Sequence, residues 1–393
     1  MFDEALFVNN KLNSSSQSVR ISSKKSYIYE THANKIDIAE IGRILNFINA
    51  IKKKHRVSLL PIVINLKNNI FEDKLTYILL ECICYNLIEK EGCKLTLLFN
   101  CKHSIYNEGI KTSCLKHVNG TREGLDTFKK KFRFDIFQSH FRKIVNYETY
   151  SIESTSRMVQ DVDNYLKGCG IQKSYRTIVS DIVGELLDNS IEHSHSDCLI
   201  DLDVTLDYEK INTNPDDSYC GVNIVVLNFS EILLSDGILQ KIKQIENNEY
   251  SNTQITPRYY NVIRARSFHS DHWNDNYTEK DFYTIASFQH KISSRKDTFS
   301  TGGTGLTQLI RGLQDRSDAY ECYMLSADRR YNFIKSILLH DTEDWIGFNK
   351  ESNFLTALPD RKFIESSDLY LPGTAYNLNF VMKREENNYG TND

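Results

Sequence analysis

The run "GELLDNSIEHSHSD", residues 184–197, ends an otherwise apolar helix in a line of polar side chains. Upstream, Ile178, Val179, Ile182, Val183, Leu186, Leu187 and Ile191 recur at three- and four-residue spacing, the pattern of a helix with one buried face. Asp181, Glu185, Asn189 and His193 fall four apart, so on an α-helix each sits about 40° further round and the set forms a second stripe beside the first. A solvated face is the simplest account of that stripe. The segments C-terminal to it argue for more.

After the helix, "CLIDLDVTLDY" alternates Ile200, Leu202, Val204 and Leu206 with polar residues, as a strand in a sheet with one open face requires. A second strand, "GVNIVVLNF", comes next, and about seventy residues later stands "FSTGGTGLTQLIRGL". There Gly302, Gly303 and Gly305 precede Leu306, Leu309, Ile310 and Leu313, so a glycine turn opens a helix. Glycines let a backbone approach a phosphate, and the first N–H groups of a helix point at it. An asparagine oxygen suits Mg²⁺, which keeps waters and bridges phosphates, and a glutamate one turn earlier can accept a proton from an attacking water.

These motifs resemble the GHKL ATPases, the family of DNA gyrase, heat-shock chaperones, histidine kinases, MutL and the anti-sigma-factor kinases. "ELLDNSIEHS" is close to the family's N box, "GGTGL" to its second glycine box, and "LPGTAYNLNF" to the Gly-Thr and last strand, with Gly373 and Thr374. The resemblance covers residues 166–384 and implies a two-layer α/β sandwich, a mixed sheet with helices on one face. It implies ATP and Mg²⁺ as ligands, with Asn189 on the metal and Glu185 as the catalytic residue positioning or activating the nucleophile. Gly302, Gly303, Thr304, Gly305 and Leu306 would wrap the phosphates; His193 would contact phosphate or cap its helix. The chain departs from the family where Asn228-Phe229-Ser230 stands for Asp-x-Gly, leaving Asn228 and Asp236 as rival readers of adenine, and where Thr307 replaces a frequent glycine. Residues 239–300 stand where the family carries its lid and hold Arg258, Arg264, Arg266, Arg295 and Lys296. Of these residues and their neighbours, Ser294, Arg295 or Lys296 would meet the terminal phosphate.

Ahead of this region, residues 1–25 are polar and aperiodic and read as a mobile arm. "SYIYE", a helix carrying Ile38 to Ile51, "LPIVINL", a helix over 74–90 and "KLTLLFN" give the order β-α-β-α-β, a small layered α/β unit over 26–119. The run "PIVINLKNNIFEDKLTYILLECICYNLIEKEGCKLTLLFN" is similar to STAS domains, the fold of anti-sigma-factor antagonists. In phosphorylatable members a serine or threonine follows the aspartate at the helix start; here Lys74 follows Asp73. The pattern closes before residue 105, so this unit is expected to fold separately. Residues 120–165 read as a charged helical connector and 385–393 as a tail.

A net charge of -4, from 48 basic and 52 acidic residues, gives no overall field for nucleic acid or membrane. No apolar run approaches the about 20 residues of a membrane helix, and the start lacks a signal-peptide pattern, so a cytoplasmic protein is expected. Nine cysteines, mostly inside apolar patterns, read as reduced core thiols; Cys101, His103, Cys114 and His117 match no usual zinc spacing. The functional expectation is a Mg-dependent ATP switch coupled to the N-terminal unit, with a protein partner or self-association as a homodimer. An anti-sigma-type serine/threonine kinase and a non-hydrolysing nucleotide-gated module are the alternatives. No acceptor histidine with a following acidic residue and proline is present, which disfavours a histidine kinase. Stress signalling, transcriptional control and antiphage defence all suit such a switch.

Overall fold

The computed structural model describes residues 20–21, 25–54, 60–100, 109–137, 140–205, 219–250, 255–293, 305–316 and 322–384. The N-terminal unit begins with β1 (Arg20–Ile21), β2 (Tyr27–Glu30) and the short β3 (Lys35–Ile36). Helix α1 (Ile38–Lys54), β4 (Ile62–Lys67), the short β5 (Ile70–Phe71), helix α2 (Lys74–Tyr85) and β6 (Leu95–Phe99) come next. Strands β2, β4 and β6 pair in parallel, so each return needs a crossover helix, and α1 and α2 supply them. The small α/β unit expected from the pattern is present. β1 pairs antiparallel with β2, so the chain is already structured at Arg20, inside the segment expected to be a mobile arm. Residues 1–19 of that arm and the tail 385–393 lie outside the described residues. Every residue of α2 is buried, which an apolar helix achieves only when covered on more than one side.

The cover comes from the C-terminal unit. β7 (Phe134–Phe137), β8 (His140–Val145), β9 (Cys198–Thr205), β10 (Tyr219–Asn228), β11 (Tyr323–Asn332) and β12 (Ile364–Lys383) form one sheet in the order β11-β12-β10-β9-β8-β7. All its pairings are antiparallel, so the mixed sheet expected for this half is not what forms. Between the strands lie the single turn α3 (Gly109–Thr112) and helices α4 (Arg122–Arg133), α5 (Ile152–Gly168) and α6 (Lys173–Asp188). After β10 come α7 (Leu234–Glu246), α8 (Pro257–Ser270), α9 (Glu279–Ser287) and α10 (Gly305–Arg316).

Strand alternation sorts the sheet's side chains between two cores. Ile200, Leu202, Val204, Val222, Ile224 and Val226 pack with α5, α6 and α10 on one face. Leu199, Val225, Leu227, Tyr323, Leu325 and Leu371 point the other way, into one cluster with α1, α2 and β4. The sheet therefore has no open face: the N-terminal unit covers it, and the two-layer expectation gives way to a sheet buried on both sides. The same shared cluster joins residues 26–119 to the C-terminal sheet. The structure is mixed α/β, and among the described residues no helix is long and apolar enough to cross a membrane.

Two further expectations change. The connector 120–165 is not helical throughout, because α4 ends at Phe134, which is extended (φ -158), and β7 and β8 come after it. His140 to Val145 alternate faces, Phe141 entering the helix-side core and Arg142 the opposite side, and β-branched Ile144 and Val145 favour the strand. Within the expected lid, 239–300, α8 and α9 bury Tyr259, Val262, Phe282, Tyr283 and Ile285 in the main core. Those buried residues make α8 and α9 part of the core.

Candidate functional site

The site grows from the end of α6. Gly184 faces α5, where a Cβ would lie 2.6 Å from Val159 Cγ2, so the two helices touch because this residue has no side chain. At the last residue of α6, the Asp188 carboxylate accepts hydrogen bonds from the Tyr150 and Thr155 hydroxyls, both at 2.5 Å. Burial and the neighbouring carboxylate push the Tyr150 hydroxyl up to about 12, so it stays a donor. Asp188 thus fixes α6 on α5. Immediately after it, Asn189–His193 form a π-turn, a feature that recurs at functional sites. The turn breaks the four-residue line: Asp181 is exposed, Glu185 and Asn189 are half-buried, and His193 falls within the wider turn. The Asn189 side chain makes no hydrogen bond to another described residue.

The strand ends close on this turn. Asn228, the last residue of β10, accepts from the Thr374 backbone N–H at 3.0 Å and donates to Ser196 Oγ at 3.1 Å. Ser230 donates to the Ser194 carbonyl at 2.8 Å. Gly373 holds φ +101, and a Cβ there would sit 2.4 Å from the Asn228 carbonyl, so both its dihedral and its surroundings require glycine. The structure therefore gathers Asn228, Thr374 and residues 194–196, just past the Asn189 turn, into one hydrogen-bonded set. Asp236 is elsewhere: in the first turn of α7 its carboxylate accepts from the Leu233 N–H at 3.0 Å, a helix cap. Of the two rivals for adenine, only Asn228 lies at the strand ends.

Helix α10 starts at Gly305, and Leu306, Leu309, Ile310 and Leu313 are buried as its pattern predicts. It closes on α6 at Gly312, where a Cβ would lie 2.8 Å from Ile182 Cδ1. Thr307 is buried. Ser294, Arg295, Lys296, Gly302, Gly303 and Thr304 lie outside the described residues. The other cations of the expected lid have local partners. Arg258 stacks on Trp345 at 3.9 Å and donates to the Glu343 and Asp344 carbonyls, Arg266 pairs with Glu246 at 2.5 Å, and Arg264 binds Asn261. Among the described residues no group of three or more His, Cys, Asp or Glu can hold a metal ion. Mg²⁺ held by one amide oxygen, phosphates and water needs no such group, and the Asn189 amide, without a partner among the described residues, fits that role.

On the other face of the sheet lies a constellation that sequence reasoning missed. The Lys74 ammonium reaches Asp201 at 2.5 Å and also contacts Asp203. Arg142 reaches Asp201 and Glu81, both at 2.5 Å, and His140 Nε2 lies 3.0 Å from Asp201. All six side chains are at most 5% exposed, so this is an ion network inside the protein. Burial opposes the Asp201 charge, but Arg142 and Lys74 outweigh it and hold the carboxyl well below the ordinary carboxylate range. The polar positions of "LIDLDV" were the signal at hand, and alternation alone assigned them to solvent. Asp73 caps α2 through the Thr76 N–H at 2.9 Å and accepts from the Tyr323 hydroxyl at 2.6 Å, which aims Lys74 into the sheet.

The cysteines behave as core thiols. Cys114 is buried 3.3 Å from Arg142 Nη1, and Cys101 and His103 lie outside the described residues. No family model, curated protein or solved structure matches this chain.

Proposed function

We propose that the C-terminal unit binds Mg·ATP at the end of α6 and works as a nucleotide-dependent switch read out by the N-terminal unit. The observation that carries this reading is Asn189, an amide without a hydrogen-bond partner among the described residues, in a π-turn whose succeeding loop is tied to Asn228 and Thr374. When bound, Mg²⁺ would neutralise phosphate charge and orient the terminal phosphoryl group. Asn189 would offer its oxygen to the ion, and the first N–H groups of α10 would face the phosphates. Glu185, one turn before Asn189, would position or deprotonate the attacking water. Asn228 would face the adenine edge; its oxygen already accepts from Thr374 but has a second lone pair.

Transmission is set by chain order. β9 begins five residues after the π-turn and carries Asp201 and Asp203, which hold Lys74 at the start of α2. A shift in the turn therefore reaches the N-terminal unit through a rigid strand. Lys74 stands where the STAS resemblance would need a hydroxyl acceptor and is buried in ion pairs, which weighs against phosphorylation of this chain at that position. A non-hydrolysing module is the second reading, favoured by Asn228 in place of a charged adenine partner.

Calorimetry and single-turnover hydrolysis separate these readings. Asn189→Ala should weaken Mg-dependent ATP affinity. Glu185→Ala should retain binding and lose about 10²–10⁴-fold in rate. Equal, small effects of both would mean that the polar line is only a half-solvated face. Parent turnover no faster than Glu185→Ala would favour the non-hydrolysing reading, and phosphate appearing on an added protein would favour the kinase.

A further inference from the structure

We infer that the cleft between residues 272–277 and 358–364 is a second binding site, for a small hydroxylated anion such as a sugar phosphate or sugar acid. The cleft encloses 410 Å³, within the about 300–1,000 Å³ of small-molecule sites. Arg361, His272, Asn276 and Asp360 line it together with the apolar Leu358 and Ile364.

Its walls are fixed. Asn274 and Tyr277 exchange backbone hydrogen bonds at 2.8 and 3.2 Å, and the Tyr277 hydroxyl bonds His269 Nδ1 at 2.7 Å. Arg329 reaches across to the Asp275 carbonyl at 2.7 Å. On the other side the Asp360 N–H donates to the Phe348 carbonyl at 2.8 Å, and Asn349 donates to the Leu358 carbonyl at 3.0 Å. Asn332 holds the Lys362 carbonyl at 3.0 Å. Both loops are thus pinned through their backbones, which lowers the ordering cost of binding.

The side chains facing the cleft are unused by comparison. The Arg361 guanidinium and the Asn276 side-chain amide make no hydrogen bond or ion pair to another described residue. Among the described residues, His272 uses only Nδ1, on the Phe268 carbonyl, and Asp360 uses only one carboxylate oxygen, on the Lys362 N–H. A planar cation and an amide N–H match an anionic group, and His272 Nε2, with Nδ1–H given to a carbonyl, accepts from a ligand hydroxyl. The spare Asp360 oxygen then accepts from a hydroxyl beside it, which an anion without hydroxyls does not supply. This site shares no residue with the α6 turn: one wall is the α8–α9 connection and the other lies between β11 and β12.

The test is titration of the full chain with ribose 5-phosphate, gluconate, ribose and inorganic phosphate, followed by calorimetry. Saturable binding of ribose 5-phosphate or gluconate at about 1 mM or below, with ribose and phosphate at least about tenfold weaker, is the expected result. Arg361→Ala and Asn276→Ala should each lose at least about tenfold in affinity with the melting temperature unchanged, since neither side chain bonds the fold. Asn189→Ala should leave this binding intact. No saturable binding of either hydroxylated anion, equal binding of ribose, or binding lost in Asn189→Ala and kept in Arg361→Ala would each overturn the site.

Discussion

Lys74, Arg142 and Asp201 carry buried charges, and each is answered by a buried partner. Removing one partner leaves the others unanswered in a poorly solvated place, so Asp201→Asn should destabilise the protein by about 3–5 kcal/mol, read from the shift in denaturant midpoint. A shift under about 1 kcal/mol would mean that water reaches the network. His140 adds a pH dependence. Burial opposes its charge, but Asp201 and Asp135 outweigh burial and raise its pKa above the ordinary 6.5. Its stabilisation is therefore complete below pH 6.5 and is lost as pH rises through the raised value. Melting temperature should fall across that window in the parent and fall less in His140→Asn; parallel curves would contradict the assignment. Asp201 acts in the opposite sense, contributing above the ordinary 3.8 and failing only as acid approaches its depressed value. The polarity of Glu185 and Asn189 against an apolar stripe was legible in the sequence, because helix periodicity is local. The partners of Asp201 were not, because Lys74 lies 127 positions away and only the docked fold brings it there.

Elements differ in how openly they declared themselves. α10 was readable because its leucines keep helical spacing, and β9 because its apolar residues alternate. β7 and β8 were hidden by Phe128 and Phe132, whose helical spacing carries the eye past the end of α4, and α8 and α9 by polar residues that masked their buried aromatics. The α5–α6 contact is a direct test of element packing. Gly184→Ala gains helix propensity worth about 1 kcal/mol but drives a methyl into Val159, and overpacking costs about 1–3 kcal/mol. The single variant should be less stable than the parent, and adding Val159→Ala should restore it. Additive effects in that double-mutant cycle would show that the helices do not meet there. The edge strand β7 exposes Phe134, Ile136 and Phe137, with Asp135 its one charged residue. Phe137→Lys should reduce concentration-dependent self-association in sedimentation velocity without lowering the melting temperature; unchanged association would clear this edge.

At the scale of the whole molecule, the two units share a core as well as an ion network. Leu75 donates its backbone N–H to the Asn377 side chain at 3.2 Å, so even the first turn of α2 bonds to β12. Unfolding should therefore be one transition, with far-ultraviolet and tyrosine near-ultraviolet signals coincident on heating. Two separated transitions would restore the picture of independent domains. A fragment of residues 26–119 leaves the face of α2 that carries Lys74 and Glu81 short of its cover, and it should bind a hydrophobic dye that the full chain does not.

The buried ion network also constrains how such a chain changes over generations. A substitution at Lys74 strands two aspartates in the opposite unit, and a substitution at either aspartate strands the lysine. Variation on one side is tolerated only alongside a matching change on the other, so the two halves behave as one heritable unit. Recombination that exchanged one half between diverged copies would join faces of unmatched charge, and the hybrids would be selected against on stability alone.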